Sequence, residues 1–440
     1  MHVHFQEIPV AELSRFGKAK FYRSLLNLLY LVMTISLGAL CLSLINFDAK
    51  LVWSVIWTTL IYMLGVGMAG PVISAILLVV KARWSAVGVR VFQSFIFVGW
   101  ISFFLFWVIW VGKEVLFPWG DGSGLPGREW YMQPSFAFLR IGALLFVYLI
   151  YASWFIWREV KSDLAYITSQ PGFSSDYRDW EYIQASSSRE TFDENNTRVY
   201  TKLCFHAPIL IILYGIIMSL FGFEFIMGMD PIWYSNLFGA HYAVTSIFLA
   251  LCWGALVSVN VKHSVKALSQ YFDSQYFWDL GKLIFGFSML WAYFSFSQFL
   301  VQWYGNLPEE TAWLSLRTRE YPWKSLMWFV FCGCFVFPFL TLLSQDVKKN
   351  FQLLLIPVGI VILSLFLERF LIVAPNVLSY RIPESFNEIL VVGAGFFTAV
   401  SIVWLSTLAF LGHYPWFAFG RYLFIEKVRS GELNLVEEIN

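Results

Sequence analysis

Ionisable side chains are the most informative residues of an apolar chain, and here they gather in a few places. Residues 277–311, FWDLGKLIFGFSMLWAYFSFSQFLVQWYGNLPEET, are apolar for long enough to cross a bilayer, yet they carry Asp279, Lys282, Tyr293, Ser295, Ser297, Gln298 and Gln302. A charged side chain at the centre of a bilayer costs roughly 3 kcal/mol unless it is partnered, so such groups are candidates for function. At 3.6 residues per turn Asp279, Lys282, Gly286, Tyr293 and Ser297 share one stripe, and Ser288, Ser295, Gln298 and Gln302 share roughly the opposite one. A helix polar on two faces is expected inside a bundle, away from lipid. Other ionisable groups cluster near the ends of apolar runs. Toward one surface lie Arg140, Glu224 and Asp230 (the last two in FGFEFIMGMDPIW), His241 in FGAHYA, and Glu368 with Arg369 in LERF; toward the other lie His206, Asp279 and Lys282. Titratable rows leading from each surface toward intervening Ser and Gln side chains have the arrangement of two proton half-channels. Beside this stands a structural reading, in which Asp279 with Lys282 at i,i+3 and Glu368 with its neighbouring Arg369 are neutralising pairs that fix helix packing.

Other chemistries find less support. The chain holds no G-x-G-x-x-G, P-loop, nucleophile elbow or H-E-x-x-H, so soluble enzyme chemistry is not expected. Its cysteines, Cys41, Cys204, Cys252, Cys332 and Cys334, lie in or beside apolar runs without C-x-x-C spacing and read as small buried hydrophobes. Bis-histidine haem ligation needs two imidazoles at one depth on facing helices. His206 near the start of one run and His241 near the start of the next belong to opposite surfaces, so a haem held by this chain alone is not expected.

The elements that must position these groups follow from composition. The chain is 58% hydrophobic and 13% charged, about half the charge of a soluble domain, which places it in a membrane. A net charge of +1 argues against nucleic acid as a partner. Crossing a bilayer core of about 30 Å takes roughly 20 apolar residues. Ten runs qualify: 25–45, 51–80, 91–111, 134–157, 203–223, 233–259, 277–304, 325–343, 351–373 and 389–411. The expected organisation is an all-α integral membrane protein with a polar segment 1–24, a ten-helix domain 25–411 and a tail 412–440. The first run lacks a cleavage site and is expected to stay as an anchor. An even number of spans puts both termini on one side, and the segments on that side hold more than twice as many Lys and Arg as the alternate ones. The positive-inside rule then places both termini in the cytoplasm.

The connections differ in character. Residues 117–130, FPWGDGSGLPGREW, and 306–323, NLPEETAWLSLRTREYPW, are rich in Trp, Pro and Gly and suit either ordered docking turns or an aromatic interface belt. On the other face the connection 158–202 is long, polar and mixed in charge, and separates four spans from six. The second run contains GVGMAGPVISA around Pro71. It reads as a kink with a small-residue packing face, or as a broken helix at a transport site.

The segment DLGKLIFGFSMLWAYFSFSQFLVQWYGNLPEET, with MGMDPIWYSNLFG upstream and LERF followed by a proline, resembles the smaller of the two polysulfide-reductase-type (NrfD-like) membrane subunits of alternative complex III, the bacterial quinol:cytochrome c oxidoreductase. The resemblance covers most of the chain. It implies two four-helix bundles, spans 2–5 and 6–9, flanked by spans 1 and 10, in a bacterial cytoplasmic (inner) membrane. It also implies a subunit with no redox cofactor of its own, supporting oxidation of menaquinol or ubiquinol, while haem c and iron-sulfur clusters reside in partner subunits. The implied partners are the larger NrfD-like paralogue, an iron-sulfur subunit, c-type cytochrome subunits, small membrane subunits, a terminal cytochrome oxidase and lipids. Proton translocation by the subunit is part of what the family suggests. Glu224, Asp230, Asp279, Lys282, Ser295 and Gln298 carry over by matching motif, with Glu224 standing where the family is expected to have Asp. Two further readings compete: an ion-coupled secondary transporter and a purely structural membrane scaffold.

Overall fold

A computed structural model describes residues 20–86, 88–122, 127, 129–168, 189–264, 269, 272–378, 386–413 and 419–430. The polar segment up to residue 19, residues 169–188 of the connection 158–202 and the end of the tail lie outside the described residues.

The chain is an all-α multi-pass membrane protein, with no strand among the described residues. Its ten spans, numbered 1 to 10 in chain order, are Leu26–Asn46, Ala49–Val79, Val89–Leu116, Pro134–Asp163, Asn195–Met229, Phe238–His263, Ser274–Gly305, Trp323–Leu342, Phe351–Leu378 and Asn387–Leu411. Hydrocarbon offers no partner for an exposed peptide group, so each apolar run closes its own hydrogen bonds as a helix. Local signals fix several ends. Asp48 accepts from the Lys50 amide at the start of span 2, Asp273 accepts from the Tyr276 amide at the start of span 7, and Asn306 ends span 7 in the left-handed region at φ 42°.

Spans 2, 3, 4 and 5 pack in a ring, each on the next and span 5 back on span 2; spans 6, 7, 8 and 9 do the same. The rings share a seam where span 2 packs on spans 6 and 9 and span 5 on span 6, while spans 1 and 10 pair with each other against span 2. This is the expected pair of four-helix bundles with two flanking helices. The hub is span 2, of whose most apolar window 94% is buried. It runs unbroken through Pro71, with small residues where backbones touch. A Cβ on Gly67 would lie 2.2 Å from the amide nitrogen of Gly99, and one on Gly70 would lie 2.3 Å from the carbonyl oxygen of Phe92. Of the two readings of GVGMAGPVISA, the packing face is the one the helix adopts.

Span 7 departs from expectation. Only 17% of its most apolar window is buried, the least of the ten, so it is a peripheral helix and not an enclosed one. Its inward face runs Phe277, Leu280, Ile284, Ser288, Trp291 and Gln302, while Lys282, Gly286 and Tyr293 face outward. Polarity on both stripes does not decide the orientation; the large apolar residues interleaved with one of them do. The connection 306–323 is also more regular than expected, containing an amphipathic helix, Pro308–Thr318. Its Trp313 stacks on Trp233 at 4.0 Å. Its Arg317 donates to the carbonyls of Leu371 and Ile372, both at 3.0 Å. Pro375 has no N–H for the Leu371 carbonyl, and the guanidinium takes that place. Burial lowers the proton affinity of Arg317, and the Asp230 carboxylate acts against that.

The face at which span 1 begins and span 10 ends is the amino-terminal face, and the other is the opposite face.

Candidate functional site

Three buried charge networks occupy the two bundles, and only two of them contain residues singled out from the sequence. The first lies toward the opposite face of the second bundle. His241 and Thr245 come from span 6, Trp291 and Gln298 from span 7, and Glu368 and Arg369 from span 9. The Ser235 hydroxyl donates to the Gln298 side-chain oxygen at 3.2 Å. The Gln298 amide nitrogen lies 2.7 Å from His241 Nδ1, and His241 Nε2 lies 3.0 Å from Glu368 Oε1. Trp291 Nε1 donates to the same oxygen at 2.7 Å, and Arg369 donates to the other at 2.8 Å. Arg369 continues to the Thr245 hydroxyl and rests over the Tyr242 ring. With the Gln298 amide turned so that its nitrogen donates to Nδ1, the imidazole carries its proton on Nε2 and hands it toward Glu368. A proton arriving at Nδ1 requires the amide to rotate and present its oxygen. The imidazole thus joins a side-chain amide of span 7 to a carboxylate of span 9.

The second network lies on the same side of the first bundle. Glu224 sits in a turn of π-helix, Gly222–Ile226, near the end of span 5; such turns re-aim a side chain within a helix. One carboxylate oxygen receives the Tyr131 hydroxyl at 2.6 Å and the other the Arg140 guanidinium at 2.7 Å. Arg140 in turn stacks 3.8 Å from the centre of the Tyr131 ring. Burial, and after it the hydrogen bond to Glu224, raise the Tyr131 phenol above its usual range, so it remains a proton donor to the carboxylate. A cavity of about 210 Å3 opens beside this group, walled by Tyr131, Leu220, Glu224, Asp230 and Trp233.

The third network has no counterpart among the residues singled out from the sequence. At the amino-terminal end of the first bundle, Arg90, Gln93, Glu159, Asp163, Ser74 and Arg421 are all fully buried. Arg421, from a helix after span 10 (Phe419–Ser430), clamps Glu159 with two bonds of 2.7 and 2.8 Å and donates to the Ser74 carbonyl at 3.0 Å. Arg90 pairs with Asp163 and with Gln93, whose amide reaches Glu159 at 2.7 Å. Two cations, Arg90 and Arg421, face two anions, Glu159 and Asp163, with Gln93 and Ser74 bridging them, so the cluster as a whole is neutral. Its charged members, Arg90, Glu159, Asp163 and Arg421, stand beyond the ends of the apolar runs, where a sequence reading places solvated loop charges. A usable signal is the i,i+4 spacing of Glu159 and Asp163, together with the flanking of Arg421 by aromatic residues in FGRYLF.

The remaining sequence candidates fall outside these networks. Asp279 and Lys282 pair at 2.6 Å at the amino-terminal end of span 7, with the Lys282 side chain 48% and the Asp279 side chain 14% exposed, apart from the three networks. Such a pair contributes at most about 1 kcal/mol; Asp279→Asn is expected to shift the unfolding midpoint in detergent by less than that energy, and a larger loss would show a hidden partner. His206 accepts from or donates to the Tyr151 hydroxyl at 2.8 Å and packs edge-on to Trp154. Asp230 caps its own turn, accepting from the amides of Ile232 and Trp233. Tyr293 is exposed and Ser295 half-buried. Gln302 is buried with its side-chain oxygen unpartnered among the described residues. Of the sequence candidates, then, His241, Gln298, Glu368 and Arg369 come together, as do Arg140 and Glu224; Asp230 lies near the latter pair. Among the described residues no three His, Cys, Asp or Glu side chains are placed to hold a metal ion.

Fold and sites together define a ten-span membrane protein with ionised networks held inside both bundles. No protein-family model matches the chain, and no curated protein matches it.

Proposed function

We propose that the chain is the membrane subunit, without a redox cofactor of its own, of a bacterial respiratory quinol:cytochrome c oxidoreductase of the alternative complex III type, supporting quinol oxidation and conducting protons. In this reading both termini lie in the cytoplasm, the networks around His241 and Glu224 face the outer side, and the Glu159 network faces the inner side. The observation that carries it is the pair His241 and Glu368, an imidazole nitrogen 3.0 Å from a carboxylate oxygen across spans 6 and 9: these are the two groups of the line that can take up and give up a proton, with Gln298 of span 7 on the other ring nitrogen and Arg369 holding the carboxylate's charge. A scaffold needs only neutral pairs, and an imidazole inserted between an amide and a carboxylate adds nothing to packing that an apolar side chain would not supply. Between Tyr62 and Ser74 the hub span is MLGVGMAGPVI, apolar over about 18 Å of rise. This stretch of the hub span lies between the inner and outer networks, and the side chains that reach it from neighbouring spans include the Tyr148 hydroxyl on the Met68 carbonyl. The transporter reading loses its main support with the continuity of span 2 at Pro71.

The test is purification from the native membrane in mild detergent. The chain is expected to travel with c-type cytochromes and an iron-sulfur protein, and the preparation to reduce cytochrome c with quinol. A stable, colourless preparation of this chain alone would overturn the proposal, and solute uptake by liposomes holding only this chain would favour a transporter.

A further inference from the structure

At the amino-terminal face, spans 6, 7 and 9 meet the short helix Gln345–Lys349, and an open cleft of about 590 Å3 lies among them. Its walls include Lys262, Ser274, Phe277, Asp346, Lys349 and Leu353. Two more lysines, Lys282 and Lys348, lie along span 7 where it meets the short helix. Lys282 and Lys349 lie 4.4 and 4.9 Å from the centre of the same Trp278 ring. Lys348 lays its stem across Gly281, where a Cβ would come within 2.9 Å of its Cγ, and rests over Phe285. Burial and then the like charge of Lys282 hold Lys348 below its usual pKa, so an anion here would relieve it.

The neighbouring carboxylates do not balance these cations. Asp273 is engaged as the cap of span 7 and Asp279 with Lys282 and Gln275. Their charges remain: Lys262, Lys282, Lys348 and Lys349 stand against Asp273, Asp279 and Asp346, four cations to three carboxylates, with Asp273 acting on Lys262 and Asp346 exposed on the cleft wall. Lys262 donates to the Phe272 carbonyl and keeps two further N–H groups.

A second feature starts in the same cleft. On span 9, Leu353, Ile356 and Leu363 are exposed apolar side chains on one stripe. Between them Gly359 is exposed, and nothing approaches within 4 Å of where its Cβ would be, which leaves a shallow groove. From Leu353 to Leu363 the stripe descends about 15 Å. That is the depth of one leaflet of a core about 30 Å thick.

We propose that this cleft binds one anionic phospholipid of the leaflet at the amino-terminal face. Lys349, Lys262 and Lys348 hold its phosphate, and an acyl chain lies in the groove along Leu353, Ile356, Gly359 and Leu363. Charge complementarity selects an anionic headgroup over a zwitterionic one, and the leaflet-deep stripe selects a lipid over free phosphate. The site does not depend on the quinol-complex reading.

The experiment is native mass spectrometry of the protein released, with whatever partners it carries, from nanodiscs of equal parts phosphatidylglycerol and phosphatidylcholine. One retained phosphatidylglycerol per chain is expected, in clear excess over phosphatidylcholine. Retention should fall about fivefold for each of Lys348→Gln and Lys349→Gln, and stay intact in the double Lys348→Arg, Lys349→Arg variant. Equal retention of both lipids, or retention indifferent to the glutamine substitutions, would overturn the proposal. Displacement of the lipid by millimolar inorganic phosphate would assign the lysines to a soluble anion and overturn it as well.

Discussion

Replacing Arg421 with glutamine is expected to destabilise the protein by about 3–5 kcal/mol, because it leaves a buried carboxylate without its counter-charge. Glu159 is fully buried, and its two strongest bonds come from the Arg421 guanidinium; without it Gln93 is the one remaining side chain that donates to it among the bonds of this network. The same change frees the helix Phe419–Ser430, which packs on the ends of spans 4 and 5 and stacks Phe424 on Tyr200. The double variant Arg421→Gln, Glu159→Gln should recover most of the loss, since it replaces an ion pair with two amides of similar volume and leaves Arg90 with Asp163. Residues in direct contact couple by roughly 0.5–3 kcal/mol in such cycles, and this pair belongs at the upper end. Unfolding midpoints in detergent, followed by tryptophan fluorescence, measure all three. A single substitution costing less than about 1 kcal/mol would mean that water reaches Glu159 and that the network is not closed.

How much of this is legible in the sequence depends on which signal each part uses. The ten spans are, because a run of twenty apolar residues has few other uses, and their centres are where hydropathy places them. Their ends are less so: span 4 continues to Asp163 and span 5 starts at Asn195, because Glu159, Asp163 and Asn196 enter helix ends as partners and not as solvated loop residues. Arg421 enters a sequence reading only as part of the tail, since nothing in a count of charges distinguishes a solvated arginine from a fully buried one. Span 7 shows the complementary error. Helical periodicity correctly separates its Ser288, Ser295, Gln298 and Gln302 stripe from the Asp279, Lys282 and Tyr293 stripe. That both stripes are polar then suggests enclosure, whereas the second stripe faces outward and keeps its charges close to the membrane surface, where their desolvation cost is small. The gathering of His241, Glu368 and Arg369 by Trp291 and Gln298 is a matter of which faces of spans 6, 7 and 9 meet, and a single sequence carries no direct record of that.

The largest functional effect is expected at His241. In His241→Gln the amide nitrogen of glutamine reaches about as far as Nε2 and can still donate to Glu368, while the second ring nitrogen and the exchange of a proton across the ring are lost. The structural cost is roughly one hydrogen bond, about 1 kcal/mol. Positioned proton-transfer groups contribute on the order of 100-fold or more to the steps they serve. Proton release coupled to quinol oxidation in proteoliposomes should therefore fall by at least about tenfold, a lower bound set by water replacing part of the relay. Glu368→Gln is a poorer probe, because it strands Arg369, which is 1% exposed and has Glu368 as its counter-ion. Gln298→Leu provides the independent arm: it leaves His241 and Glu368 in place and removes the amide whose rotation reloads Nδ1, so it should slow release without preventing oxidation when the membrane is uncoupled. Asp279→Asn, on the outward stripe, should do neither. If His241→Gln and Gln298→Leu both release protons at the unaltered rate and stoichiometry, the hydrogen-bonded line across spans 6, 7 and 9 holds the bundle together and conducts nothing. If oxidation falls equally with and without an uncoupler, the line serves the quinol chemistry itself, because a conduction defect is relieved when protons cross by another route and a chemical one is not.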